Sequence, residues 1–293
     1  MEPEVPQTPK RRKEDQPSRR LRKGMYILPS LFTTANIAFG YYAILQVTHA
    51  TAAEPWHFDF AAKAIGFAVL FDGLDGRIAR MTKTSSAFGR ELDSLADVIT
   101  FGVAPALLGW MWGFRQLSIV NPPTQMTGKL IQLGAIASFL FLIAGASRLA
   151  RFNITSNPQP SNPGRPDRKY FVGMPIPAGA GVVAAVVHFA GGEPITSWYT
   201  TVLWTLCMVL VAYLMVSTWR FYSFKDIHFS SRQPFRLIVL FGLLFAGIWY
   251  FSGPLLFAIA MLYMFSGILW RLQWIFRRRG TPSPPYKEAS EVS

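Results

Sequence analysis

FDGLDGRIARMTKTSSAFGRELDSLAD, running from Phe71 to Asp97, is the stretch on which the reading of this chain turns. It enters and leaves apolar sequence, yet it carries Asp72, Asp75, Asp93 and Asp97. Carboxylates in such surroundings are costly and face an interior site rather than lipid. On a helix, Asp72, Asp75 and Ala79 stand at i, i+3 and i+7 and share one face. Gly89, Asp93 and Asp97 stand at i, i+4 and i+8 and share a face of the next helix. A basic turn, Arg77–Arg90, joins the two, so antiparallel neighbours bring four carboxylates together. Clustered carboxylates raise one another's pKa unless something compensates them. Divalent cations do so, and an all-oxygen set without His or Cys favours Mg²⁺ or Mn²⁺ over zinc. Two such ions about 4 Å apart clamp phosphoryl oxygens during a displacement. Gly76 and Gly89 remove side chains where a backbone must come close to a neighbour or ligand.

Two other readings of the aspartates stand beside this one. They could cap helices or pair with Arg77, Arg80 and Arg90, or they could line an ion or proton path. A transporter commonly shows an internal repeat, and the chain has none.

Around this stretch the sequence reads as a membrane protein. Of 293 residues, 51% are hydrophobic and 15% charged, where a soluble domain carries about a quarter charged. The net charge of +13 sits between and beyond the apolar blocks, where it meets anionic headgroups; nucleic acid is not expected as a partner. Eight segments approach the spanning length of about 20 residues: Leu28–Val47, Phe60–Arg80, Leu95–Phe114, Leu130–Ala150, Pro175–Ala190, Trp198–Thr218, Phe235–Phe251 and Pro254–Phe276. Lys and Arg crowd the N-terminal tail, Arg77–Arg90, Arg148–Lys169, Arg220–Arg236 and the tail from Arg277. Thr48–Asp59, Gly191–Ser197 and Ser252–Gly253 contain none. That alternation puts both termini and the aspartates on the cytoplasmic side. Residues 1–24 read as a basic disordered tail without the features of a signal peptide. Cys207, the single cysteine, permits no internal disulfide and reads as an inert buried thiol.

The pattern Asp72-x-x-Asp75-Gly76-x-x-Ala79-Arg80, eight residues, then Gly89-x-x-x-Asp93-x-x-x-Asp97 resembles the signature of the CDP-alcohol phosphatidyltransferases at every defined position. The resemblance implies an all-α polytopic membrane protein with a six-helix core, here residues 25–222. Residues 223–277 would add two transmembrane helices and residues 278–293 a cytoplasmic tail. It implies two divalent cations, Mg²⁺ or Mn²⁺, held by Asp72, Asp75, Asp93 and Asp97, with Asp97 also the general base. It implies CDP-diacylglycerol as donor and CMP as leaving group. Gly76, Ala79 and Gly89 would make room for the nucleotide, Arg80 would face its phosphates, and Thr34 and Asn36 would line its pocket. Interhelical hydrogen bonding explains Thr34 and Asn36 equally well.

Members of the family use different alcohols. Ala146–Asn153 and Tyr170–Ala180 are similar to segments of the membrane-embedded bacterial and archaeal phosphatidylserine synthases, with Met174 where Leu is common, and this implies L-serine and a bacterial inner membrane. Arg148 and Arg151 at i, i+3 could hold a serine carboxylate, with Asn153 beside them; flanking charge alone also explains either arginine, and a lipid phosphate is a third ligand. Glycerol 3-phosphate and inositol phosphate remain rival acceptors. The loop Thr155–Lys169 reads as a lid, with Asp167 available to a serine ammonium or simply solvated. His49, His57 and His188 read as isolated, near the outer face. A homodimer is compatible with all of these features.

Overall fold

The computed structural model describes residues 19–82, 87–117, 125–156, 170–222 and 234–277; for 74–82 and several helix ends it describes the backbone alone. Among the described residues the elements are helices, apart from one short ribbon. Helix α1 spans Arg19–His49 and α2 Trp56–Thr82. α1 starts inside the stretch read as the 1–24 tail, where Arg, Leu and Lys are good helix formers.

The third rod is composite. Helix α3, Ala87–Asp97, passes into a π-helical segment Val98–Val103, then α4, Ala104–Trp110, then a second π segment Met111–Arg115. π turns insert an extra residue per turn and re-aim the side chains beyond them, and they recur at functional sites. Here the first one begins directly after Asp97.

Helix α5 spans Gln125–Ser156, α6 Ile176–Phe189, α7 Trp198–Val216 and α8 Pro234–Arg277. α8 breaks at Phe251 (φ −133°, ψ 44°), and a Cβ on Gly247 would lie 3.0 Å from the Leu255 side chain. Eight residues of straight helix rise about 12 Å, so the two halves fold toward each other. They correspond to the expected segments Phe235–Phe251 and Pro254–Phe276.

Four described stretches are long and apolar enough to cross a membrane: Phe88–Arg115, Gln125–Ile154, Trp198–Val216 and Ala246–Leu269. The protein is an integral membrane protein on this ground. The last stretch contains the Phe251 break, so it is not one straight rod. α6 has 14 residues, about 21 Å of helix against a hydrocarbon core of about 30 Å. It is shorter than the expected Pro175–Ala190 span, and it is largely walled by protein: Gly179, Ala180, Val182, Val183, Ala184 and Ala185 are buried. Small residues let the neighbouring helices close on it.

α1 packs along α2, α2 along α6, α5 along α7, and α6 along α8. Phe58, Phe101, Phe114, Phe141, Met208 and Leu214 fill the interior completely buried. Trp204 Nε1 donates to the Gly109 carbonyl at 2.9 Å, and its ring meets Trp112 edge-on at 5.1 Å. The outward surface carries Leu31, Phe139, Leu203 and Trp249, more than half exposed, as a lipid-facing surface would.

The two strands were not expected. β1, Tyr170–Val172, pairs antiparallel with β2, Arg220–Tyr222, in the register Phe171 opposite Phe221. Aromatic and β-branched residues favour the extended form. Gly173 then turns the chain at φ +78°, a conformation open to glycine, where a Cβ would lie 2.9 Å from the Ser217 carbonyl oxygen. Its N–H donates to the Trp219 carbonyl at 2.8 Å, and that of Met174 to the Leu214 carbonyl at 2.9 Å.

The histidines are not isolated. His188 Nδ1 lies 2.5 Å from Asp59 Oδ1, and Nε2 lies 2.9 Å from Ser252 Oγ. Lys63 Nζ pairs with Asp59 Oδ2 at 2.7 Å. A carboxylate only accepts, so the ring donates to Asp59 from Nδ1. This chain of bonds ties α2, α6 and the break in α8. His57 Nδ1 bonds Gln46 Oε1 at 2.6 Å and stacks on Trp56.

Candidate active site

α2 and the α3 rod bring Asp72, Asp93 and Asp97 together: one carboxylate oxygen from each lies within 4.8 Å of the others. Asp97 is buried, and Asp72 and Asp93 are half-buried. Asp93 Oδ1 is itself buried and accepts no hydrogen bond among the described residues. A buried carboxylate oxygen left without a donor is costly. Three carboxylates this close multiply that cost, and a divalent cation removes it. The group can therefore hold such an ion. Asp75, Gly76, Ala79 and Arg80 lie on the described backbone of α2, but their side chains are outside the described ones.

α1 supplies the roof. Asn36, fully buried, donates from Nδ2 to Asp97 Oδ1 at 3.4 Å, while its own Oδ1 finds no donor among the described residues. Thr100 Oγ1 donates to the Asn36 carbonyl at 3.0 Å. The seam closes because residue 40 is glycine: a Cβ there would overlap Thr100 Oγ1 and lie 2.8 Å from its Cα. Thr34, expected at the nucleotide pocket, is exposed, and the buried threonine of this turn is Thr33. Gly89 is half-buried one turn before Asp93.

The last turns of α5 carry the expected acceptor residues, and the structure separates them. Arg148 is 7% exposed. Its guanidinium carbon lies 5.3 Å from the Phe152 ring centroid and 5.5 Å from that of Phe171. Those rings meet edge-on at 6.3 Å. Two aromatic faces hold a guanidinium well through cation–π attraction. No described residue accepts a hydrogen bond from it or pairs with it as a salt bridge, yet it interacts electrostatically with Tyr263, Asp97 and Asp72. Arg151 is exposed and donates from Nη1 to the Val216 carbonyl at 3.2 Å. Asn153 Nδ2 donates to Ser94 Oγ at 2.7 Å, joining α5 to α3 one residue past Asp93. The loop Thr155–Lys169, read as a lid, has residues 157–169, Asp167 among them, outside the described ones.

Phe152, Phe171 and Ser94 escaped the sequence reading. Phe152 stands four residues after Arg148, a helical neighbour that spacing alone could have flagged. Phe171 could not be found that way, because a strand brings it in.

This is an apolar helical body with a carboxylate triad and, within its electrostatic reach, a buried guanidinium lying over two rings. A sequence model of the CDP-alcohol phosphatidyltransferases matches residues 26–197. The chain belongs to that family.

Among similar proteins, the CDP-diacylglycerol–serine O-phosphatidyltransferase of Helicobacter pylori strain 26695 is 34% identical over 260 residues, 86% of this chain and 92% of that protein. The protein of the same name from Mycobacterium leprae is 33% identical over 234 residues, 78% of this chain and 68% of that one. That of Methanocaldococcus jannaschii is 35% identical over 153 residues, 52% of this chain and 59% of that one. In this phosphatidyltransferase the three gathered aspartates and Arg148 all lie inside the family match, whereas β2 and α8 lie beyond it.

Proposed function

We propose that this phosphatidyltransferase moves the phosphatidyl group of CDP-diacylglycerol to L-serine, giving phosphatidylserine and CMP. The observation that carries the acceptor is Arg148: a buried cation lying over two adjoining rings, with no hydrogen-bond acceptor among the described residues and within electrostatic reach of Asp72 and Asp97. A carboxylate satisfies such a group, and serine brings one beside the hydroxyl that must react. The names of the similar proteins support the same acceptor.

In this reading Asp75 joins Asp72, Asp93 and Asp97 around two divalent cations, Mg²⁺ or Mn²⁺. Bound there, the ions neutralise charge on the lipid-linked phosphoryl oxygens. Asp97, steadied by Asn36, takes the serine hydroxyl proton. The serine oxygen bonds the phosphatidyl phosphorus as the bond to CMP breaks. Gly76, Ala79, Arg80 and Gly89 take the nucleotide, with Thr34 and Asn36 at its edge. Arg148 orients serine, and Arg151 and Asn153 hold the end of α5 in place. The first six membrane segments, residues 25–222, form the catalytic body, and the halves of α8 add two more. The basic loops put the site on the cytoplasmic side.

Purified protein in detergent–CDP-diacylglycerol micelles with Mn²⁺ should release CMP with L-serine. Glycerol 3-phosphate and inositol phosphate should give little. CMP release with either of those and none with serine would replace the acceptor and leave the aspartate site standing.

A further inference from the structure

Two contacts set α5 against the rod that begins with α3. Leu142 Cδ1 lies 3.0 Å from where a Cβ on Gly102 would stand. Further along α5, Asn153 Nδ2 donates to Ser94 Oγ at 2.7 Å. Arg148 lies between Leu142 and Asn153 as Asp97 lies between Gly102 and Ser94, so the two stand at about the same level of an antiparallel pair. Leu142, Leu149 and Asn153 recur on one face of α5. Arg148 leaves the helix about 100° from Leu149, so helix geometry alone does not aim its guanidinium. The rings do. Its guanidinium carbon lies 5.3 Å from the Phe152 centroid and 5.5 Å from that of Phe171, and the two rings meet at 61°. Phe152 rides on α5 one turn after Arg148 and moves with it. Phe171 comes from β1, opposite the fully buried Phe221 of β2 and on the same face of the ribbon. The Gly173 N–H closes the ribbon on the Trp219 carbonyl at 2.8 Å.

We propose that Phe171 is a positioning residue for the acceptor: presented by the ribbon, its ring fixes the Arg148 guanidinium at the level of Asp97 and so sets where the carboxylate of the incoming amino acid lies. This rests on the serine reading above. An arginine side chain is long and loses much rotamer freedom when held in one place. An acidic partner would hold it, but would also neutralise the charge that the acceptor carboxylate needs. A ring face attracts the cation and uses none of its N–H donors, which lie in the guanidinium plane. The fork therefore stays available for a bidentate carboxylate. Phe171 is the ring that ties this fork to the rest of the fold, so the ribbon belongs to the acceptor site.

The test measures CMP release by full-length protein in CDP-diacylglycerol micelles with Mn²⁺ over a range of L-serine. It compares wild type, Phe171→Leu, Phe171→Tyr, Arg148→Ala and the double variant Arg148→Ala/Phe171→Leu. Loss of one desolvated cation–π contact in Phe171→Leu should raise serine KM about fivefold. Its kcat and its KM for CDP-diacylglycerol should change less than about twofold. Phe171→Tyr keeps the ring face and should stay within about twofold of wild type in serine KM. In the Arg148→Ala background, Phe171→Leu should change the kcat/KM for serine less than about twofold, because the group it positions is gone. Unchanged serine KM in a folded Phe171→Leu protein, or an equal loss in both backgrounds, overturns the proposal and leaves the serine reading intact. Phe171→Met repeats the comparison where the leucine protein does not fold. Failure of both to fold, or loss of CDP-diacylglycerol binding that Phe171→Tyr does not rescue, marks Phe171 as structural and also overturns it. Wild-type protein that ignores serine but uses another alcohol removes the serine reading itself, and this proposal with it.

Discussion

Asp93, half-buried with one buried oxygen, and Arg148, buried, are ionisable groups whose partners among the described residues do not satisfy them, and each points to a different ligand. Asp93 has a buried oxygen with no donor, within 4.8 Å of two other carboxylates. Asp93→Ala is expected to lower CMP release by about a hundredfold or more while the protein remains folded by gel filtration. EDTA should stop wild-type turnover, and Mn²⁺ or Mg²⁺ should restore it. Full activity in a folded Asp93→Ala protein would sink the metal reading. For Arg148→Ala the expected change is in serine KM, by roughly ten- to hundredfold for a lost charge-assisted contact, with binding of CDP-diacylglycerol retained. Arg151→Ala should move serine KM less, since Arg151 is exposed and bonded to the Val216 carbonyl. A loss of nucleotide-lipid binding instead would assign Arg148 to the lipid phosphate.

At the scale of elements, the site depends on how closely α1 meets the first π segment. Gly40 lies against Thr100, Thr100 bonds the Asn36 carbonyl, and Asn36 bonds Asp97. A methyl group at residue 40 has no room. Gly40→Ala should cost about 1–3 kcal/mol of stability by overpacking, read as a lower thermal midpoint in detergent, and should lower kcat through Asn36 more than it changes serine KM. A Gly40→Ala protein with wild-type melting would show that the seam can open freely. Of this seam the sequence offered only Asn36, as a residue for the nucleotide pocket or for an interhelical hydrogen bond, and the bond to Asp97 is of the second kind. Helical spacing places Asn36 and Gly40 on one face of α1, but not the residue that meets them sixty positions later. Asp93 and Asp97 were legible because four residues on a helix return to the same face whatever the tertiary context.

For the whole molecule, charge distribution and packing give different kinds of information. The basic loops predict that the α5–β1 connection faces the cytoplasm and the α1–α2 connection faces outward. In a Cys207→Ser background, Thr51→Cys should react with an impermeant maleimide added to intact cells, and Ser161→Cys should react only after permeabilisation. Labelling of Ser161→Cys from outside would reverse the orientation. The hydrogen-bonded chain Lys63–Asp59–His188–Ser252 would then lie at the outer face, away from the aspartates. Asp59 and Ser252 stand 129 and 64 positions from His188, which is why His188 read as isolated.

What the sequence by itself determined is whatever depends on one helix at a time. That covers the apolar segments, the alternation of basic loops, the shared face of Asp93 and Asp97, and the fixed spacing that carries the family. Tertiary structure decided everything that depends on how one element is rotated against another. Arg148 and Arg151 sit three residues apart, about 60° around the helix, and periodicity cannot say which turns inward; packing against Phe171 and the ribbon buries Arg148 and leaves Arg151 outside. The ribbon itself pairs residues fifty apart, and Phe221 of that ribbon meets Tyr263 of α8 with ring centroids 5.7 Å apart. Such contacts are set by the shapes of whole packed surfaces, and no local pattern encodes them.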